Sequence, residues 1–289
     1  MPAVILDGKA LGTKIRNRVK EESDKLKIKG VVPCLAVVLV GDNPASLSYV
    51  KAKEKALLEL GMKSRDIRLP ADTQEKELLS VIDGLNLDKD THGILVQLPL
   101  PEHLDEAYIT EAIKPEKDVD CFHPVSVGNM ILGRPCFLPC TPHGILVILE
   151  ENKIPISGSH VVVVGRSNIV GKPLLNLLIR REYNATVTLC HTGTKDLGFH
   201  TRQADILISA AGMPGLIDAG MIKENAAVID VGVNRVPDAS AKKGYRLCGD
   251  VNADVAEKAS FFTPVPGGVG PMTIAMLLQN VVEAAQKVI

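Results

Sequence analysis

At 289 residues the chain is longer than one average domain, so two are expected, and 46% hydrophobic residues with 3% aromatics and no Trp leave aliphatic side chains to build the cores. With 33 Lys+Arg against 34 Asp+Glu, net −1, there is no basic footprint for nucleic acid, and no apolar run reaches the roughly 18 residues of a membrane helix. Residues 1–7 lack a charged stretch followed by an apolar one, so no secretory leader is expected, and six scattered cysteines without a Cys-x-x-Cys read as reduced thiols in a cytoplasmic protein.

Residues 5–6 read as a short strand and 8–27 as an amphipathic helix with Leu11, Ile15, Val19 and Leu26 on one side. The apolar run 35–40 reads as a buried strand ending at Gly41. Asn43 is a good helix N-cap, Pro44 suits the first helical position, and Gly61 is placed to stop the helix near Leu60. Tyr49 and Lys53, four apart, share one face of it. A phenol and an amine at the mouth of a strand–helix turn suit acid–base work; the same spacing also describes an ordinary solvated face.

A strand at 64–69, a helix at 73–85 and a strand at 93–97 continue an alternation that builds a parallel sheet flanked by helices. The last strand runs into Val96-Gln97-Leu98-Pro99-Leu100-Pro101, where prolines end the ladder. Ligands of open α/β sheets sit outside the carboxyl ends of strands, which puts Gln97 within reach of Tyr49 and Lys53, unless a loop satisfies its amide. A helix is expected over 102–114. Then Pro115-Glu116-Lys117-Asp118-Val119-Asp120 places two acids in a Pro-started loop, suited to a turn or to a polar head group. Cys136, Cys140 and His143 offer three metal ligands without a fourth, a poor zinc site, so no metal is expected. Thr141 reads as the cap of a helix over 142–150.

Composition changes at 152–159. A buried strand at 160–164 then enters Gly165-Arg166-Ser167-Asn168-Ile169-Val170-Gly171, a dinucleotide-binding turn with a variant fingerprint. Its middle glycine is Ser167 and its last small position has moved to Gly171, but the backbone donors and helix start still suit phosphates. The next strand, 186–190, ends in Cys190-His191-Thr192, with no acid to hold a ribose 2′-hydroxyl. Arg166 and that neutral end favour a 2′-phosphate, hence NADP, over two plain surface loops. Further strands at 205–209, 227–231 and 247–249 complete a second sheet, and a helix follows at 250–259. The Gly- and Pro-dense loop 262–273 argues for close backbone approach to a ligand before a final helix at 274–288.

These motifs resemble, nearly end to end, the bifunctional methylenetetrahydrofolate dehydrogenase/methenyltetrahydrofolate cyclohydrolase family of FolD type. They are Gly41-Asp42-Asn43-Pro44-Ala45-Ser46 through Tyr49 and Lys53, residues 96–101, residues 115–120, residues 165–173, and Pro264-Val265-Pro266-Gly267-Gly268-Val269-Gly270-Pro271-Met272-Thr273. The resemblance implies an α/β fold of two domains around a cleft. The first is a folate-binding, catalytic domain with a parallel sheet over 1–145, completed by 268–289 as the last helix returns to it. The second is a Rossmann-type NADP domain over 146–267.

It further implies Lys53 as the acid–base group, Tyr49 against the pterin, Gln97 beside Lys53, and Asp118 on the pterin amide and amine. Val96, Leu98, Pro264, Pro266, Gly267, Gly268 and Val269 would line the folate. Gly165, Arg166 and Ser167 would serve the cofactor phosphates, Thr192 the 2′-phosphate and Val233 the nicotinamide side, with Ile169, His191, Ala211 and Gly212 also on the cofactor. Two positions depart from the family: Cys121 stands at its usual glycine and Thr192 at its usual serine. The implied chemistry is oxidation of 5,10-methylenetetrahydrofolate with NADP⁺ and hydrolysis of the methenyl product to 10-formyltetrahydrofolate, in a homodimer. The alternative is another NADP-dependent dehydrogenase of related fold, similar to shikimate dehydrogenase.

Overall fold

The computed structural model describes residues 2–241 and 244–288. In chain order its elements are β1 (Val4–Ile5), α1 (Gly8–Ile28), β2 (Cys34–Val40), α2 (Pro44–Glu59), β3 (Lys63–Leu69), α3 (Glu75–Leu87) and β4 (Gly93–Val96). Then come α4 (Glu106–Glu111), α5 (Pro124–Ile131), α6 (Cys140–Glu151), β5 (His160–Val164), α7 (Gly171–Leu178), β6 (Thr186–Cys190) and α8 (Leu197–Thr201). The chain closes with β7 (Ile206–Ser209), β8 (Ala227–Asp230), β9 (Asn234–Pro237), β10 (Tyr245–Cys248), β11 (Phe261–Phe262) and α9 (Val269–Gln286). Two compact units result: Thr13–Cys140 with Ile274–Ile289, and Met1–Gly12 with Thr141–Thr273. Among the described residues no helix is long and apolar enough to cross a membrane.

The first unit is built on a parallel sheet of order β3-β2-β4. β2 is buried at all seven positions, the near-continuous apolar run that a central parallel strand needs. Its side chains pack with Leu78, Ile82 and Leu85 of α3 and with Ile109 of α4, each buried aliphatic contributing about 1.5–3 kcal/mol. A bridge from Ile94 to Asp118 draws the 118–123 loop alongside β4. Asn280 of α9, buried, donates to Val119 O at 2.7 Å and Leu138 O at 2.9 Å, which fixes the returning helix by polar bonds as well as packing.

The second unit holds a six-stranded parallel sheet of order β1-β11-β8-β7-β5-β6. β5 sits between β6 and β7, so the strand order reverses at its carboxyl end, where doubly wound sheets bind ligands. Residues 1–12, expected with the first domain, group here because β1 pairs with β11.

Several expected elements differ. The strand expected at 247–249 is β10, and it leaves the large sheet to pair antiparallel with β9, where Arg235 lies 4.9 Å over the Tyr245 ring. The helix expected at 250–259 is a 3₁₀ turn at Ala253–Glu257, because the Asp250 side chain is bonded to Asn234 of β9 and Val251 N to Asp230 of β8. The helix over 102–114 shrinks to α4: Asp105 caps it, accepting from Ala107 N and Tyr108 N. α9 begins at Val269, five residues before the expected start. α5, not expected at all, starts where His123 Nδ1 accepts from Val125 N. Thr141 lies inside α6 and its hydroxyl pairs with Thr273 at 2.9 Å, so it is not a cap.

Candidate active site

In the first unit, α2 carries Tyr49, half-exposed at 50%, and Lys53, partly buried, on one face. Lys53 Nζ donates to Gln97 Oε1 at 3.1 Å, and Gln97 Nε2 donates to Leu98 O at 2.8 Å. The carbonyl of Leu98 only accepts, so it fixes which way the Gln97 amide faces and leaves Oε1 for the amine. A helix face and a strand end, 44 residues apart, thus hold one ammonium group in place. Val96 turns its side chain into the core, so it has only backbone to offer, and Leu98 packs partly against the same core.

Asp118, 3% exposed, receives Phe122 N on one oxygen at 3.1 Å and His123 N on the other at 2.9 Å. Burial pushes its carboxyl above the ordinary value, against those two donors and the Ser126 hydroxyl. Three donors leave one of the four acceptor positions of the carboxylate open. Beneath it Cys140, buried, donates to Asp120 Oδ1 at 3.1 Å, and burial raises its thiol well above the usual range. Cys121 takes φ 60°, a left-handed conformation, with its thiol hydrogen-bonded to Cys136 and likewise pushed up. Among the described residues no group of three His, Cys, Asp or Glu side chains forms a cation site.

In the second unit the β5–α7 turn is shaped for close approach. Gly165 has φ 122°, and a Cβ there would run into Ala210 O; a Cβ on Gly171 would run into Gly165 O. Ser167 Oγ accepts from Val170 N at 3.1 Å, so the serine in place of a glycine serves as the cap of the turn. Arg166, Ser167, Asn168 and Ile169 are exposed around this cradle, at the start of α7. Gly165 N donates to Cys190 O, which brings the end of β6 alongside. There His191 Nδ1 accepts from Gly193 N at 3.0 Å and Thr194 Oγ1 from His191 N at 2.9 Å, a tight turn that leaves Thr192 exposed past the end of the strand paired with β5. A glycine-cleared cradle, a helix start and an Arg with a hydroxyl and no carboxylate at the β6 end fit a dinucleotide with a 2′-phosphate.

The 264–268 loop closes on itself through Gly268 N to Pro264 O at 2.8 Å, and a Cβ on Gly8 would strike Gly268 O. Pro266 is exposed, whereas Gly268 and Val269 are buried and offer no side chain outward. Val233 is exposed beside Asn234, and Ala211 and Gly212 follow β7. Sequence reasoning missed Asp230 and Asp250, buried acids beneath these last turns; their only signal is an acid closing, or just past, a short apolar strand.

A Rossmann sheet with such a cradle, joined to a second α/β unit carrying a clamped lysine, has the architecture of a nicotinamide-nucleotide enzyme. The chain matches the tetrahydrofolate dehydrogenase/cyclohydrolase catalytic domain over residues 6–120 and the NAD(P)-binding domain of the same enzymes over 139–289. It is 58% identical to the bifunctional protein FolD of Exiguobacterium sibiricum, over 98% of this chain and 100% of that one. The solved FolD of Campylobacter jejuni, 49% identical, superposes with a TM-score of 0.95 over 99% of this chain and 100% of that chain. That of Trypanosoma brucei, described as complexed with NADP cofactor and inhibitor, is 41% identical with a TM-score of 0.95, over 100% and 99%. A Thermus thermophilus shikimate dehydrogenase, at 18% identity and a TM-score of 0.53, shares the fold alone. The chain belongs to the tetrahydrofolate dehydrogenase/cyclohydrolase family.

Proposed function

We propose that this protein oxidises 5,10-methylenetetrahydrofolate to 5,10-methenyltetrahydrofolate with NADP⁺ and hydrolyses the product to 10-formyltetrahydrofolate, with Lys53 as the proton carrier of the second step. The observation that carries the assignment of Lys53 is its bond to a Gln97 amide that Leu98 O holds in one orientation. NADP⁺, when bound, supplies the hydride acceptor. The Gly165–Gly171 backbone and the start of α7 would hold its phosphates, and Arg166 and Thr192 its 2′-phosphate.

Oxidation asks the protein for alignment more than for a base, since a pterin nitrogen lone pair expels the hydride. Tyr49 offers a flat face to the pterin and Asp118 its carboxylate to the amide and amine. Hydrolysis asks for more. Water adding to the methenyl carbon must lose a proton, and a ring nitrogen must gain one as the C–N bond breaks. Lys53 can do both in turn, and Gln97 keeps the amine from swinging away between them. We assign the folate side to the unit of residues 13–140 and 274–289 and the NADP side to the six-stranded unit. The six reduced thiols support a cytoplasmic protein, and the family resemblance supports a homodimer, for which a solution mass of twice the chain is the expected result.

The test of the reading follows both products in one vessel. With methylenetetrahydrofolate and NADP⁺ the protein forms NADPH and then 10-formyltetrahydrofolate. NADPH formation with methenyl decay no faster than in buffer would overturn the acid–base role of Lys53; no NADPH at all would overturn the dehydrogenase reading.

A further inference from the structure

Two buried carboxylates lie beneath the turns that follow β7 and β8, and nothing in the reaction above uses them. Asp230 closes β8 and Asp250 follows β10; they are 2% and 0% exposed. Asp250 Oδ2 accepts from Ala211 N at 2.7 Å, Gly212 N at 3.1 Å and the Ser209 hydroxyl at 3.3 Å. Its Oδ1 accepts from Asn234 Nδ2 at 2.9 Å. Asp230 Oδ1 accepts from Gly232 N and from Asp250 N, both at 3.0 Å, and its Oδ2 from Val251 N at 3.0 Å. Bare backbone makes room for both groups. A Cβ on Gly232 would run into the Asp250 carboxylate, and one on Gly249 into that of Asp230.

This arrangement has a direction. Asp230 grips the backbone on either side of the Asp250 side chain. Asp250 in turn grips two turns at the carboxyl ends of neighbouring parallel strands, where Ser209 and Asp230 are register partners. A trans peptide points its C=O opposite to its N–H. With Ala211 N–H aimed at Asp250, the Ala210 carbonyl faces the other way, to the position that a Cβ on Gly165 would occupy. With Gly212 N–H aimed at the same oxygen, the Ala211 carbonyl also faces away from Asp250. It is an acceptor of the kind that the hydroxyl and amide donors of a nicotinamide riboside seek.

We propose that Asp250 is a positioning residue for NADP. Its carboxylate sets the backbone of Ala211–Gly212 and the Val233–Asn234 segment at once, and Asp230 sets Asp250. This rests on the reading that Ala211, Gly212 and Val233 face the cofactor. Asp250→Asn keeps the size but carries an amide NH₂ on one side, so it must turn a donor toward either the two backbone N–H groups or Asn234 Nδ2. Loss of one charge-assisted hydrogen bond predicts an NADP⁺ KM and an NADPH Kd raised by about tenfold, with cofactor-free hydrolysis of methenyltetrahydrofolate held within about twofold. That split is one a general loss of structure does not produce. If Asp250→Asn fails to fold, Asn234→Ala removes only the Oδ1 partner and is expected to show the same split, more weakly.

Gly212→Val separates the proposal from the reading beneath it, because Gly212 has φ 67° and open space where a side chain would point. Its expected effect is a raised NADP⁺ KM. A Gly212→Val protein with unchanged NADP⁺ KM would sink the reading of the turn and the proposal with it. A raised KM in Gly212→Val, beside parental cofactor KM in folded Asp250→Asn and Asn234→Ala, would sink the proposal alone. Equal loss of both activities in Asp250→Asn would make Asp250 a plain structural residue.

Discussion

The two units carry chemistry in opposite ways. In the first, we assign it to side chains on regular elements: Lys53 from a helix face, Gln97 from a strand end, clamped by one carbonyl. In the second, the groups that fit a ligand are mostly backbone, with the Arg166 and Thr192 side chains at the rim. Glycines clear space for it, and side chains such as Ser167, Asp230 and Asp250 spend their oxygens on holding that backbone still. A side-chain site tolerates changes in the chain around it as long as the reacting group stays. A backbone site has no single reacting group to remove, so its weak points are the glycines and the buried acceptors.

The strongest test of this contrast is Lys53→Met, which keeps much of the apolar stem and deletes the amine. General acid–base assistance is worth roughly 10²–10⁴-fold, so methenyltetrahydrofolate hydrolysis falls by that order while NADPH formation falls less. Parental hydrolysis in this variant would return Lys53 to an ordinary helix face. Arg166→Ala acts on the backbone site from its rim. One Arg–phosphate contact predicts a parent preference for NADP⁺ over NAD⁺ of at least about tenfold in kcat/KM, most of which the variant erases. Equal use of both cofactors by the parent protein would leave Arg166 without that role.

A subtler test is the pH dependence of stability. Burial, with help from Asp250, outweighs three backbone donors and pushes the Asp230 carboxyl up to about 6. A group whose folded pKa is raised stabilises the fold fully below its unfolded value, and that contribution is lost as pH rises through the folded one. The stability of the parent protein, followed through its thermal midpoint, therefore declines from about pH 4 to pH 7, by on the order of 2 kcal/mol, and Asp230→Asn flattens that slope even if it lowers the whole curve. An identical slope in the variant would show that other groups set it. The smallest effect belongs to Cys121→Gly. Glycine relieves a left-handed φ of 60° but gives up a buried thiol contact and adds freedom to the unfolded chain. The terms oppose, so stability moves by less than about 1 kcal/mol in denaturant melts; a loss of several times that would make the Cys121–Cys136 contact structural.

How much of this the amino acids announce follows the same division. β2 and β5 are apolar runs with glycine just beyond, and Tyr49, Lys53 and Gln97 sit where a strand–helix alternation puts them, so local pattern suffices. Asp250 shows the reverse. Read locally it opens a helix; in the fold its bonds run to residues 209, 211, 212 and 234, and the helix gives way to a 3₁₀ turn. The β9–β10 ribbon was hidden for the same reason: nothing in residues 245–248 says that they pair with 234–237 rather than with the large sheet. Thr141, with its partner at Thr273, was likewise beyond local reading.

The strand β1 has a further consequence, for the order in which a ribosome delivers this chain. β1 pairs with β11, so residues 4–5 wait for residues 261–262 before their edge of the sheet exists. The other unit waits longer still, because Asn280 must arrive before Val119 O and Leu138 O find their donor. Neither unit is complete when residues 13–140 have been made, so the usual advantage of folding the N-terminal domain first is denied to this topology. A chain cut before residue 261 therefore leaves two open apolar cores where many two-domain proteins would leave one.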